Sequence, residues 1–176
     1  IIKPAVQVSV GAQVSGQLRK LYVRQGERVR KGQLLAEIDP TLQLSDLRNA
    51  TAQLASARAQ KLSSEAMLVQ YRKALARERA MNRDGSGVSS DLEQAQAQYA
   101  AQVQQIAVNE AQIVQAEMSV QTANANLGYT RILAPMDGEV LGIVTREGQT
   151  IVSSQIAPTI LVLADLDKDQ VQTRIS

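Results

Sequence analysis

Apolar positions along this chain follow two different rhythms. Val6, Val8 and Val10 alternate with polar residues, the period of two that sets one strand face against a core. Glycines at 16, 26 and 32 punctuate the short runs that follow up to residue 39, as tight turns between strands require. From Thr41 to Asn126 the rhythm lengthens. Proline is absent, glycine occurs only at 85 and 87, and Ala, Gln, Leu, Arg and Glu dominate, all good helix formers. Leu92, Tyr99, Ile106, Ile113, Val120 and Leu127 fall seven apart, with Ala95, Ala116 and Ala123 three residues behind members of the row. A row sustained over that many heptads predicts a coiled-coil seam. Leu47, Leu54, Leu68 and Leu75 answer it at the same spacing, interrupted by Lys61 and flanked by Ala50, Ala57 and Tyr71.

The breaks between these elements have their own chemistry. Asp39 before Pro40 is a helix-start signal, because the carboxylate accepts orphan backbone N–H groups and proline is tolerated in the first turn. The segment "RDGSGVSSDLE" is the one break in the helical stretch; its glycines permit a reversal, and Ser90 with Glu93 predicts a capping box for a second helix. A short connection makes the two helices antiparallel neighbours. At 1.5 Å per residue, roughly 40 residues give a hairpin about 60 Å long.

After Tyr129 the strand rhythm returns, and with it the spacing of the first segment. "GQLRKLYVRQGERV" at 16–29 is nearly rewritten as "GEVLGIVTREGQTI" at 138–151. At one constant offset Gly16 matches Gly138, Leu18 Val140, Leu21 Ile143, Gly26 Gly148 and Val29 Ile151, and Val10 and Ala12 match Ile132 and Ala134. "LLAEID" finds its counterpart in "ILVLAD" once a few extra residues are allowed around Ser153 to Ala157. A repeat split in this way predicts an α+β fold in which two half-motifs close into one β-sandwich, with the helical hairpin inserted between them.

Composition narrows the chemistry. Histidine, cysteine, tryptophan and phenylalanine are absent and tyrosine occurs four times, which argues for an elongated molecule rather than a large globular core. The common general bases, thiol nucleophiles and zinc ligands are therefore missing, and no catalytic, cofactor or metal site is expected. "GERVRKGQ" fails as a phosphate loop because Lys31 precedes Gly32 and no Ser or Thr follows. "DLDKDQ" lacks the glycine and the terminal glutamate of a calcium loop. A net charge of +2 gives no sign of a nucleic-acid partner. Arg24, Arg28, Arg30 and Lys31 have only Tyr22 for stacking and are expected to be a solvated face or a contact with a neighbouring subunit. The longest apolar runs, such as "ILVLA", are far short of the roughly 20 residues that cross a bilayer, so any targeting segment or membrane anchor is expected outside this chain.

Half-motifs of this kind resemble the biotinyl/lipoyl domain, and a lipoyl domain interrupted by an α-hairpin resembles the periplasmic adaptors, or HlyD-like membrane fusion proteins, of bacterial efflux and secretion systems. "VGAQVSGQL", "GYTRILAPMDGEV" and "EGQTIVSSQIAPTILVLADL" are most similar to MacA-type adaptors that work with an ABC transporter. The resemblance implies a non-enzymatic protein without cofactor, periplasmic and anchored at the inner membrane. It implies a self-associating, typically hexameric tube joining an inner-membrane ABC transporter to a TolC-like outer-membrane channel. Exported molecules of the class include macrolides, peptides, lipids and siderophores. The alternatives are an adaptor of an RND pump or type I secretion system, and a coiled-coil scaffold or lipoyl-domain relative without a channel. No lysine of this chain sits where carrier domains place their modified lysine.

The resemblance also divides the chain. Residues 1–7 are expected to end an incomplete β-barrel region, 8–39 and 130–166 to be the two lipoyl halves, 40–129 the hairpin with its tip about 82–90, and 167–176 the start of a truncated barrel. Many members carry Arg, then Leu four on, then Ser seven further, at the tip. The nearest match is Arg77, Met81 and Ser89, with Met for Leu and the second spacing one residue longer. Arg77, Met81, Asp84, Gly85, Val88 and Ser89 are the expected channel contact. Gly16, Gly26, Gly138 and Gly148 are the expected lipoyl turn glycines. The extra residues Ser153, Ser154 and Gln155 are expected either to line the export channel, Gln155 forming a constriction, or to be a longer β-turn.

Overall fold

The computed structural model describes residues 7–153 and 157–165, together with the backbone of 3–4 and 169–170. The chain divides into two compact units, Ile1–Asp46 with Ala123–Ser176, and Leu47–Thr122.

In the first unit β1 (Lys3–Pro4) pairs antiparallel with β10 (Asp169–Gln170). The first half supplies β2 (Gln7–Gly11), β3 (Gly16–Leu21), β4 (Arg28–Val29) and β5 (Leu34–Ile38). The second supplies β6 (Arg131–Leu133), β7 (Gly138–Ile143), β8 (Thr150–Ile151) and β9 (Thr159–Ala164). They form two four-stranded sheets, ordered β2-β9-β7-β4 and β6-β5-β3-β8, with every pairing antiparallel. Each sheet takes strands from both halves, and the sequence repeat carries one sheet onto the other: β2 onto β6, β3 onto β7, β4 onto β8, β5 onto β9. The matched residues meet in one core. Val10 and Ile132, Ala12 and Ala134, Leu18 and Val140, and Val29 and Ile151 are all buried, with Leu21 and Ile143 packed at its margin. Leu35, Ile38, Leu161 and Leu163 complete an aliphatic interior, each such side chain contributing about 1.5–3 kcal/mol. Of the three alternating valines, Val8 is half-buried and Val10 buried, while Val6 lies outside the described residues.

The four expected turn glycines separate into two kinds. Gly26 and Gly148 sit in turns with φ of 81° and 83°, the left-handed region that favours glycine. Gly16 and Gly138 instead open strands β3 and β7, which corrects the expectation for them. Their constraint is close approach: a Cβ on Gly16 would lie 2.5 Å from Ile38 Cγ2, and one on Gly138 would collide with the Ala164 carbonyl.

The helices are α1 (Thr41–Arg83) and α2 (Ser89–Gly128). Asp39 Oδ1 accepts from the Thr41 amide at 3.1 Å and from the Thr41 hydroxyl at 2.6 Å, and these bonds hold the Asp39 carboxyl below its ordinary pKa. The second helix starts earlier than its predicted cap. The Val88 carbonyl accepts from the amides of Asp91 and Leu92, so Ser90 falls inside the first turn and the Ser90–Glu93 capping box is absent among the described residues. Asp91 in that turn suits the helix dipole. The second unit carries the paired stretches of both helices. The predicted seam residues lying in it are buried or half-buried. The seam also holds polar members that a hydrophobic row does not reveal: Ser64, Gln102 and Asn109 are buried.

Candidate functional site

The hairpin tip is built by its glycines. α1 ends at Arg83, and Gly85 with φ of 78° takes the left-handed position that stops it. The Ser86 amide donates to the Met81 carbonyl at 3.0 Å and the Gly85 amide to the Asn82 carbonyl at 3.2 Å, the paired bonds of a Schellman motif. The Gly87 amide also donates to the Met81 carbonyl at 3.0 Å. Gly87 lies so close beneath the helix end that a Cβ there would stand 2.7 Å from the Asn82 nitrogen. Both glycines of "DGSG" were expected to permit the reversal, but Gly87 was not among the expected contact residues, and nothing in the sequence signals its close approach to the helix end.

On this rigid turn sit the expected contact residues. Arg77 and Met81, four apart, share one face of α1 and are both exposed; Asp84, Val88 and Ser89 are exposed as well. Met81 is 41% and Val88 58% accessible. The side chains of Arg77, Asp84 and Ser89 make no hydrogen bond or ion pair among the described residues. One cation, one anion and two apolar groups are thus displayed over a backbone fixed by the Met81 carbonyl.

The loop after β8 is anchored at both ends. The Ser153 amide donates to Ser15 Oγ at 2.9 Å and the two hydroxyls lie 3.1 Å apart, while the Ala12 amide donates to the Pro158 carbonyl at 3.1 Å. Ser154 and Gln155 lie outside the described residues. Ser15 has a second partner, since buried Gln43 Nε2 donates to its carbonyl at 3.3 Å. Ser15 thus stands between the first turn of α1 and the loop after β8, a role no sequence pattern signalled. A groove of about 530 Å³ runs along β2 and β6 beside Tyr129, with Arg131 as its charged lining residue. Among the described residues no group of acidic side chains could hold a metal ion, and no helix is long and apolar enough to cross a membrane.

Comparison with known proteins gives this geometry its context. Over 170 residues the chain is 41% identical to the macrolide export protein MacA of Escherichia coli O157:H7, covering 97% of this chain and 46% of that protein. It is also 41% identical over 175 residues to the pyoverdine export membrane fusion protein PvdR of Pseudomonas putida, covering 99% of this chain and 45% of that one. The chain therefore spans about half the length of these relatives. The crystal structure of MacA from Actinobacillus actinomycetemcomitans superposes with a TM-score of 0.90 at 40% identity, over 96% of this chain and 52% of that one. The family described as RND MFP, barrel-sandwich hybrid domain, matches residues 6–163, and the chain, with its interleaved sandwich and inserted hairpin, belongs to that family of membrane fusion proteins.

Proposed function

We propose that this chain is the hairpin-bearing part of a periplasmic adaptor, anchored at the inner membrane through a segment outside it. The adaptor links an inner-membrane ABC transporter to a TolC-like outer-membrane channel. The observation that carries this reading is the glycine-built tip, which holds exposed Met81 and Val88 on a backbone locked by the Met81 carbonyl. Arg77, Met81, Asp84, Gly85, Val88 and Ser89 form the contact with the outer-membrane channel. The similarity to macrolide and pyoverdine exporters supports a cargo of macrolide or siderophore type.

Self-association into a ring has support of its own. Outside the seam, α1 carries Ala55, Ala59, Leu62, Ala66 and Val69, and α2 carries Ala97, Ala100, Ala107, Ala111, Val114 and Met118, all exposed. The spacing along each stripe fits the heptad, so each helix has a second seam to offer a neighbour. In such a ring, Ser153, Ser154 and Gln155 line the channel.

A photo-crosslinking side chain at position 81 or 88 of the full-length adaptor, expressed beside the outer-membrane channel, tests the tip. Crosslinks to the channel are expected from both positions, and adaptor-to-adaptor crosslinks from positions 62 and 114. A well-expressed adaptor whose tip crosslinks to nothing would sink this reading. Gln155→Ala is expected to leave assembly intact and change export; unchanged export would remove the constriction from the proposal.

A further inference from the structure

Four seam positions in the middle of the hairpin are polar: Lys61 and Ser64 on α1, Gln102 and Asn109 on α2. Ser64, Gln102 and Asn109 are joined. Asn109 Nδ2 donates to Ser64 Oγ at 2.7 Å, Gln105 Nε2 to Asn109 Oδ1 at 3.2 Å, and Gln102 Nε2 to the Ser64 carbonyl at 2.8 Å. Asn109 is only 1% exposed. Lys61 runs its stem along the seam and brings its ammonium 2.9 Å from Glu110 and 3.5 Å from Glu65. Arg58 and Glu117, 3.0 Å apart, lie one step further toward the helix ends that join the strands.

These contacts are confined to one stretch. Among the described residues of the second unit, every hydrogen bond or ion pair between the helices falls within 58–64 of α1 and 102–117 of α2. Toward the turn, the helices meet through Leu68, Tyr71, Leu75, Ala95 and Tyr99, which are buried or half-buried. The two kinds of layer respond differently to opening. Parting an apolar layer exposes hydrocarbon to water and costs free energy at each step. Parting a polar layer exchanges protein partners for water, so each such bond adds little net resistance. Unzipping from the turn therefore climbs through the apolar layers and then flattens across the polar ones.

We infer that Ser64, Gln102 and Asn109, flanked by Lys61 and Glu110, form a polar boundary that divides the hairpin into two separately opening sections. The section between this boundary and the turn parts as a unit while the other stays paired. The inference concerns the hairpin alone and stands whether or not the tip meets an outer-membrane channel.

Native-state hydrogen exchange on this chain tests it. Amides tipward of the boundary, from about 66 to 100, are expected to share one protection level. Amides beyond 58 and 113, toward the strands, are expected to exchange about tenfold or more slower, with a step between the levels. In the variant Ser64→Ala/Gln102→Leu/Asn109→Leu the step is expected to shrink or vanish. A smooth gradient of protection in the unmodified chain would overturn the inference without any variant. So would a step that survives the triple substitution. Should the triple variant misfold, Gln102→Leu alone serves, with a smaller step expected and an unchanged one counting against the boundary.

Discussion

The amide of Gly26 donates to the carbonyl of Val140 at 2.8 Å, and its counterpart in the repeat, the amide of Gly148, donates to the carbonyl of Leu18 at the same distance. Neighbouring bonds are mirrored too: the Val140 amide donates to the Glu27 carbonyl at 3.0 Å, and the Leu18 amide to the Gln149 carbonyl at 2.9 Å. Each half therefore fixes its turn against a strand of the other. Neither glycine has a heavy atom within 4 Å of where a Cβ would stand, so only backbone strain opposes substitution. Gly26→Ala and Gly148→Ala are each expected to cost about 1–2 kcal/mol in urea unfolding. Losses that differ widely between the two would show that the repeat is not energetically even.

Gly16 and Gly138 break that evenness. The obstacle at Gly16 is the Cγ2 methyl of buried Ile38, a side-chain group that can yield only with its stiff β-branched χ1; at Gly138 it is the backbone carbonyl of Ala164, held in the β7–β9 ladder. Overpacking costs about 1–3 kcal/mol, and Gly138→Ala is expected at the upper end with Gly16→Ala below it. Equal or reversed losses in parallel denaturation curves would contradict the packing described.

Asn109 and Arg58 test the value of buried against exposed polar contacts. Asn109→Ala strips a buried partner from Ser64 Oγ and from Gln105 and is expected to cost about 1–3 kcal/mol. Arg58→Ala removes an ion pair whose side chains are 59% and 43% accessible, where about 0–1 kcal/mol is usual. Thermal unfolding of the two variants should rank them in that order.

Exposed Asp39 and half-buried Lys61 give the stability profile opposite slopes at its extremes. Hydrogen bonds from the Thr41 hydroxyl and amide depress the Asp39 carboxyl below its ordinary 3.8. Its contribution is full above that value and lost as pH falls through the folded pKa. The hydrogen bond to Glu110 raises the Lys61 ammonium above 10.5, so its contribution is full below 10.5 and lost as pH climbs through the folded pKa. Asp39→Ala should flatten the acid limb of a stability–pH curve and Lys61→Met the alkaline limb, each leaving the other limb alone.

At the tip, Gly87→Ala would force the turn away from Asn82, because the atoms it meets are helix backbone at 2.7–2.9 Å. Channel crosslinking from position 81 is expected to fall severalfold, on the magnitude of misplacing a contact surface by about 1 Å. Ser86→Ala, which deletes only a 3.3 Å bond to the Met81 carbonyl, should leave it nearly unchanged. Equal crosslinking in both would separate turn geometry from channel contact.

Much of this architecture is legible in residue order, for physical reasons. Matched pairs such as Leu18 with Val140 must be apolar because both reach one core, so the repeat survives in spacing. The row from Leu92 to Leu127 is readable because a seam needs apolar side chains every seventh position. Its companion row was half hidden: Ala95, Ala116 and Ala123 were visible, but Gln102 and Asn109 occupy the same register with polar side chains whose partners lie across the hairpin. Lys61 looked like an interruption for the same reason. Ser15 and Gln43 left no trace at all, since a hydrogen bond to a backbone carbonyl asks nothing of the sequence of its acceptor. The Ser90–Glu93 pair misled because a capping motif matters only where a helix begins, and the turn places that start at Ser89.

The interleaving of the sheets has a consequence for how this protein is made. A ribosome releases β2 to β5 before the helices, yet of these only β3 and β5 pair with each other; β2 must wait for β9 and β4 for β7. The helices emerge next, and their zippering from the turn needs only contacts near in sequence, which form fast. Once zipped, they return the nascent chain to the waiting strands and spare it the entropic cost of closing a long loop. Before it can serve any partner, the hairpin is the jig on which its own sandwich is assembled.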